Sequence, residues 1–238
     1  MKILSIGNSF SHDAHTYLHK LAKKEGDVFK TVNLYISGCS LETHYLNCLE
    51  DKMAYEFGFN GENTKLKTSI KQALTSDEWD IVTIQQASHF SPNYESYFPY
   101  VESIVEYVKK YCPNAKIYIH QTWAYEDGCE RLNNLGYSTA KDMFNDIAKS
   151  YNKVAKVIKA DGIIPSGQAM INAVDLGIEK IHRDTYHASL GAGRYLLALT
   201  WYKALTGKDI SNNAFDEFDL EVSDKERKIV IKAVNSAF

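Results

Sequence analysis

Short apolar runs alternate with amphipathic stretches along almost the whole chain, and this restricts the possible folds more than any other feature. Residues 2–6, 31–36, 79–84, 116–120 and 162–164 read as strands. Residues 12–25, 97–111, 139–159, 190–205 and 223–237 read as helices, and 168–173 starts another. The stretch 139–159 places Ile147, Tyr151, Val154, Val157 and Ile158 on one side, as an amphipathic helix requires. Strands separated by helices predict a parallel sheet covered on both faces. Three segments are less regular: 41–55 fits neither period, 56–65 reads as loop or hairpin, and 66–74 as a short helix.

At 238 residues, with no repeat, linker or low-complexity tract, the chain is expected to be a single domain spanning 1–238. A net charge of −3 gives no reason to expect nucleic acid. No apolar run approaches the roughly 20 residues that span a bilayer, so no membrane partner is expected. There is no basic-then-apolar leader, and the expectation is a cytoplasmic protein, although a trimmed secreted form would read the same. The four cysteines, Cys39, Cys48, Cys112 and Cys129, lack Cys-x-x-Cys spacing and are read as reduced and mostly buried. The oligomeric state is not legible.

In an open parallel sheet, ligands bind beyond the C-terminal ends of the strands, where strand order reverses. Gly7-Asn8-Ser9-Phe10-Ser11 follows the first strand, Gly38 the second, Gln86 to His89 the third, and Gln121 to Trp123 the fourth. Ser9 stands near a helix N-terminus, where free N–H groups favour developing negative charge; Ser9 or Ser11 could equally be that helix's cap. Asp184-Thr185-Tyr186-His187 puts a carboxylate and an imidazole three residues apart. Serine, imidazole and carboxylate form the minimal set for nucleophilic acyl transfer.

These motifs, in this order, resemble those of the SGNH hydrolases, the flavodoxin-like branch of the GDSL esterases. Gly7-Asn8-Ser9-Phe10-Ser11 corresponds to the family's serine block, with Asn8 where Asp is usual. Ser37-Gly38-Cys39-Ser40-Leu41 supplies the glycine, and Asp184-Thr185-Tyr186-His187 matches Asp-x-x-His. The family's Gly-x-Asn-Asp block is replaced by Gln85-Gln86-Ala87-Ser88-His89, which resembles a divergent subgroup carrying Gln-x-x-Ser. The resemblance implies a three-layer α/β/α sandwich with a parallel five-stranded sheet, and ester hydrolysis without a cofactor or metal. It makes Ser9 the nucleophile, His187 the base, Asp184 its orienting partner, and the N–H groups of Ser9 and Gly38 oxyanion donors. For the third donor, Gln86 is favoured over His89.

The α/β-hydrolase elbow Gly-x-Ser-x-Gly does not fit, because Ser11 stands where its second glycine belongs. His15 and His19 have metal-ligand spacing but no third ligand, and are read as a solvated helix face. His12 and Asp13 are candidates for lining the cleft. Trp123 could stack on substrate or pack in the core, and Gly191 and Gly193 suggest close helix packing. The expected activity is removal of small acyl groups, acetyl foremost, from a carbohydrate or similar polar ester; a lipase or thioesterase of the same fold is an alternative. The rival class is an inactive binding module of the same fold.

Overall fold

A computed structural model describes residues 1–238. Seven strands form one sheet: β1 (Lys2–Gly7), β2 (Lys30–Tyr35), β3 (Tyr55–Phe59), β4 (Glu62–Thr68), β5 (Ile81–Ile84), β6 (Lys116–His120) and β7 (Gly162–Ile164). Their order is β4-β3-β2-β1-β5-β6-β7. The five strands β2, β1, β5, β6 and β7 are mutually parallel, as expected. Their apolar residues, including Ile3, Leu4, Ile6, Val32, Leu34, Val82, Ile84 and Ile119, are buried. Such near-continuous apolar runs belong to strands covered on both faces.

The sheet is wider than the five strands expected. β3 and β4 form an antiparallel hairpin, and β3 pairs with the free edge of β2. The hairpin occupies most of 56–65 and takes over the start of 66–74, so the helix expected there is only α3 (Ile70–Thr75). β4 is exposed along most of its length and carries Lys65 and Lys67. Charge on an exposed strand discourages pairing with another chain.

The remaining helices are α1 (Ser9–Lys24), α2 (Leu41–Leu49), α4 (Tyr100–Tyr111), α5 (Glu130–Asn134), α6 (Ala140–Val157), α7 (Ser166–Asp175), α8 (Ala192–Thr206) and α9 (Asp224–Asn235). α1, α7, α8 and α9 pack together, and α2, α3 and α4 pack against one another. Right-handed crossovers place α1 on one face and α4 and α6 on the other. A continuous core of 62 buried residues runs from Ile3 to Val234. No helix is long and apolar enough to cross a membrane.

From β1 the chain steps to β2 on one side and later to β5 on the other. The strand order therefore reverses at β1, and a crevice opens beyond its C-terminal end. Gly7 ends that strand and Ser9 begins the next helix. The largest cavity, about 820 Å³, lies at the opposite end of the sheet, among Met1, Ile81 and Lys116. It contains none of the candidate catalytic residues.

Candidate active site

The turn from β1 into α1 presents Ser9 with its hydroxyl unspent. Asn8, not Ser9 or Ser11, caps the helix: its Oδ1 accepts from the Phe10 N–H at 3.0 Å. Ser11 completes the cap by accepting from the Asn8 N–H at 3.1 Å, and it donates to Asn33 Oδ1 at 2.7 Å. Gly7 is required by space, because a Cβ there would lie 2.2 Å from Ser11 Oγ. As the first helical residue, Ser9 has a backbone N–H with no acceptor inside the helix.

The Asp184–His187 segment closes over this turn. His187 Nε2 lies 2.8 Å from Ser9 Oγ, and His187 Nδ1 lies 2.8 Å from Asp184 Oδ2. Asp184 Oδ1 also accepts from the His187 backbone N–H at 2.9 Å, which fixes the carboxylate relative to the ring. Partial burial of Asp184 works against its charge, but these hydrogen bonds outweigh it and hold the carboxyl below its ordinary value. The imidazole thus has one nitrogen on the serine and the other on a carboxylate, the arrangement that general-base activation of a hydroxyl requires.

Two anchors hold the histidine segment in place. Trp123 Nε1 donates to the Tyr186 carbonyl at 2.7 Å, and the indole stacks on Phe10 with centroids 3.9 Å apart. Trp123 is fully buried, so it packs beneath the site and does not reach substrate. The second anchor is an ion pair. Arg183 Nη1 donates to both oxygens of Asp13, at 3.0 and 2.9 Å, and also to the Ala188 carbonyl. Asp13 is fully buried and accepts from Arg194 Nε as well, at 3.0 Å. The expectation that Asp13 lines the cleft is corrected: it joins the serine helix to the histidine loop from below. His12 packs against Tyr35 outside the cleft lining, with ring centroids 5.9 Å apart.

Gly38 adopts a left-handed φ of +61° in the exposed turn after β2. This conformation favours glycine. Its N–H has no acceptor in the chain, and it lines the same cleft as Ser9 and His187. Asn8 couples the two turns, since its Nδ2 donates to the Cys39 carbonyl at 3.1 Å. Asn8 Oδ1 is held in turn by Gln85 Nε2 at 2.9 Å, and Gln85 Oε1 meets His120 Nδ1 at 2.8 Å. An aspartate in place of Asn8 would have no donor for Cys39, which gives a physical reason for the departure from the GDSL pattern.

Gln86 requires a correction. Its Nε2 donates to the Ser96 carbonyl at 2.8 Å and to Ser96 Oγ at 3.2 Å. Its Oε1 accepts from the N–H groups of Leu41 and Ala87, at 3.0 and 2.8 Å. The side chain therefore ties the start of α2 to the loop after β5, with no donor left for an oxyanion. The residues of this block that line the cleft are Ser88 and His89. Ser88 Oγ lies 2.8 Å from the Tyr125 hydroxyl, which lines the cleft too. Burial pushes the Tyr125 phenol above its ordinary value, keeping it protonated. His89 is pushed below the usual imidazole value by burial and by the charge of Arg131.

Two further sequence readings change. His15 is buried, not solvated: its Nε2 meets Ser5 Oγ at 2.8 Å, and burial pushes the ring down to about 3. His19 Nδ1 turns to the Phe29 carbonyl at 2.6 Å, so the two rings serve separate contacts. The cysteines are all free, with Cys39, Cys48 and Cys112 buried. Although Cys39 adjoins Gly38, burial pushes its thiol up to about 12, which makes it a poor nucleophile. Gly193 does permit close packing, as a Cβ there would lie 2.7 Å from the Ile181 carbonyl.

Residues 2–237 match the family model described as a domain of unknown function, DUF4886, and the chain belongs to that family. A crystal structure of a DUF4886 family protein from Bacteroides uniformis is 34% identical, with a TM-score of 0.92 over 100% of this chain and 94% of that one. A protein from Slackia heliotrinireducens, described as a candidate SGNH hydrolase, is 24% identical with a TM-score of 0.62, covering 86% of this chain and 98% of its own. Axe2, an acetylxylan esterase from Geobacillus stearothermophilus, is 15% identical with a TM-score of 0.59, covering 86% and 94%. These likenesses establish the SGNH hydrolase fold. No curated protein matches the chain.

Proposed function

We propose that the protein is a serine esterase of SGNH type that removes small acyl groups, acetyl foremost, from a carbohydrate or similar polar alcohol. The observation that carries this reading is the unbroken line Ser9 Oγ, His187 Nε2, His187 Nδ1, Asp184 Oδ2, with 2.8 Å at each hydrogen bond. The small cleft around it, about 180 Å³, favours a short acyl group over a lipid chain.

His187 Nε2 takes the Ser9 proton as Oγ attacks the ester carbonyl carbon. The carbonyl oxygen becomes the oxyanion and faces the N–H groups of Ser9 and Gly38. With Gln86 committed elsewhere, the Ser88 hydroxyl is the side-chain donor, oriented by Tyr125. Collapse of the tetrahedral intermediate breaks the bond to the alcohol oxygen, which leaves with the proton from Nε2. Water then repeats the sequence on the acyl-serine: Nε2 takes its proton, the carboxylic acid is released, and Ser9 recovers its hydrogen. Asp184 remains ionised and stabilises the transient imidazolium.

Turnover of p-nitrophenyl acetate tests the reading. Ser9→Ala is expected to lower kcat by about 10⁴-fold while the protein stays folded. An inactive binding module would show no turnover above background in the wild type.

A further inference from the structure

The sequence contains four arginines. Arg183 and Arg194 are committed to Asp13, and Arg194 also to Asp219. Arg227 donates to the carbonyls of Phe215 and Asn213. Arg131, on the short helix α5, is the exception. It is exposed and lines the Ser9 cleft. Its guanidinium lies over the ring of Tyr186, 4.3 Å from the centroid, immediately beside His187. No carboxylate shares the cleft lining. Its other polar contributors there are hydroxyls, an amide, two imidazoles and a glycine backbone.

A cation stacked on an aromatic face is held in position without losing its charge or its hydrogen-bond donors. The guanidinium fork matches a carboxylate in two parallel hydrogen bonds. An arginine that no side chain of the protein neutralises, fixed next to the histidine of the triad, is placed to receive that charge from outside.

We propose that the ester accepted at this site carries a carboxylate, which Arg131 holds beside the scissile bond. This rests on the esterase reading and narrows its substrate class from polar esters to anionic ones. The stacking on Tyr186 links recognition to the catalytic turn, because Tyr186 adjoins His187 in the chain.

The test compares kcat/KM for four aryl esters, taken as two anionic–neutral pairs. Methyl 4-acetoxybenzoate is neutral, 4-acetoxybenzoate carries the carboxylate on the alcohol side, and p-nitrophenyl hydrogen succinate carries it on the acyl side. p-Nitrophenyl acetate is the neutral reference for the last. One anionic ester is expected to exceed its neutral partner by about 10-fold or more at low salt, with the advantage shrinking as ionic strength rises. Which one does so identifies the side of the ester bond that Arg131 reads. In Arg131→Gln the ratio is expected to fall to near one, and in Arg131→Lys to an intermediate value. Using a ratio cancels any general loss of activity in the variants. Ratios near one in the wild type, or a preference that survives Arg131→Gln, overturn the proposal while leaving the esterase reading intact. Absence of turnover on every ester, together with no covalent labelling of Ser9, removes both.

Discussion

Asp13 and Arg183 join the two halves of the site. The carboxylate stands one helical turn beyond Ser9, and the guanidinium stands four residues before His187, with both Asp13 oxygens within 3.0 Å of Arg183 Nη1. The distance between Ser9 and His187 therefore depends on a contact neither residue makes. Asp13→Asn keeps the volume but strands two arginines around a buried neutral amide. We expect a loss of about 3–5 kcal/mol in urea unfolding, the cost of breaking a buried ion pair by removing one partner. A change below about 1 kcal/mol would show that the pair is not a structural anchor.

The oxyanion donors separate by substitution. Ser88→Ala is expected to lower kcat on p-nitrophenyl acetate by about 10² to 10³-fold with little change in KM, because it removes a contact made in the transition state. Gln86→Ala is expected to act on folding instead. It leaves the Leu41 and Ala87 N–H groups without an acceptor and destabilises the protein by about 1–3 kcal/mol. The reverse pattern, with Gln86→Ala slow but stable and Ser88→Ala fully active, would restore Gln86 as the donor.

Acid should switch the enzyme off through His187, which cannot accept the Ser9 proton once it is protonated. Asp184 does not set that loss. Its folded-state carboxyl is held below the ordinary value, so its contribution is present above the unfolded carboxylate range, about 3.9, and is lost only as pH falls through the lower folded value. Asp184 is therefore expected to stay ionised above that range and to add no acid limb of its own there. In Asp184→Asn the activity is expected to drop at every pH, because the ring loses its orientation. Activity in Asp184→Asn equal to that of the wild type would contradict this orienting role.

What the sequence made legible was local or periodic. The five parallel strands announce themselves as apolar runs, because a strand buried on both faces needs no alternation. Asp184 and His187 are close in sequence, and their three-residue spacing alone brings carboxylate and ring together. The β3–β4 hairpin was harder to read because β4 has almost no buried face, and therefore little apolar pattern. Gln86 was misplaced for a different reason. Its partners Leu41 and Ser96 are 45 and 10 residues away, and an amide carries no sign of which direction it will face. Ser88 was read only as part of its motif and Tyr125 and Arg131 not at all, because they meet only when the segments after β5 and β6 converge beside Ser9. His15 looked like a surface residue beside His19, but the Ser5 and Thr83 hydroxyls satisfy one another and its Nε2 inside the core.

The proposed mechanism requires Ser9 to be a nucleophile activated by His187. Incubation with a fluorophosphonate probe, followed by mass spectrometry of the peptides, tests it most directly. One phosphonylated residue, Ser9, is expected, with labelling abolished in Ser9→Ala and slowed at least about 10²-fold in His187→Ala, where general-base assistance is lost. Labelling at another residue, or no labelling of folded protein, would contradict it.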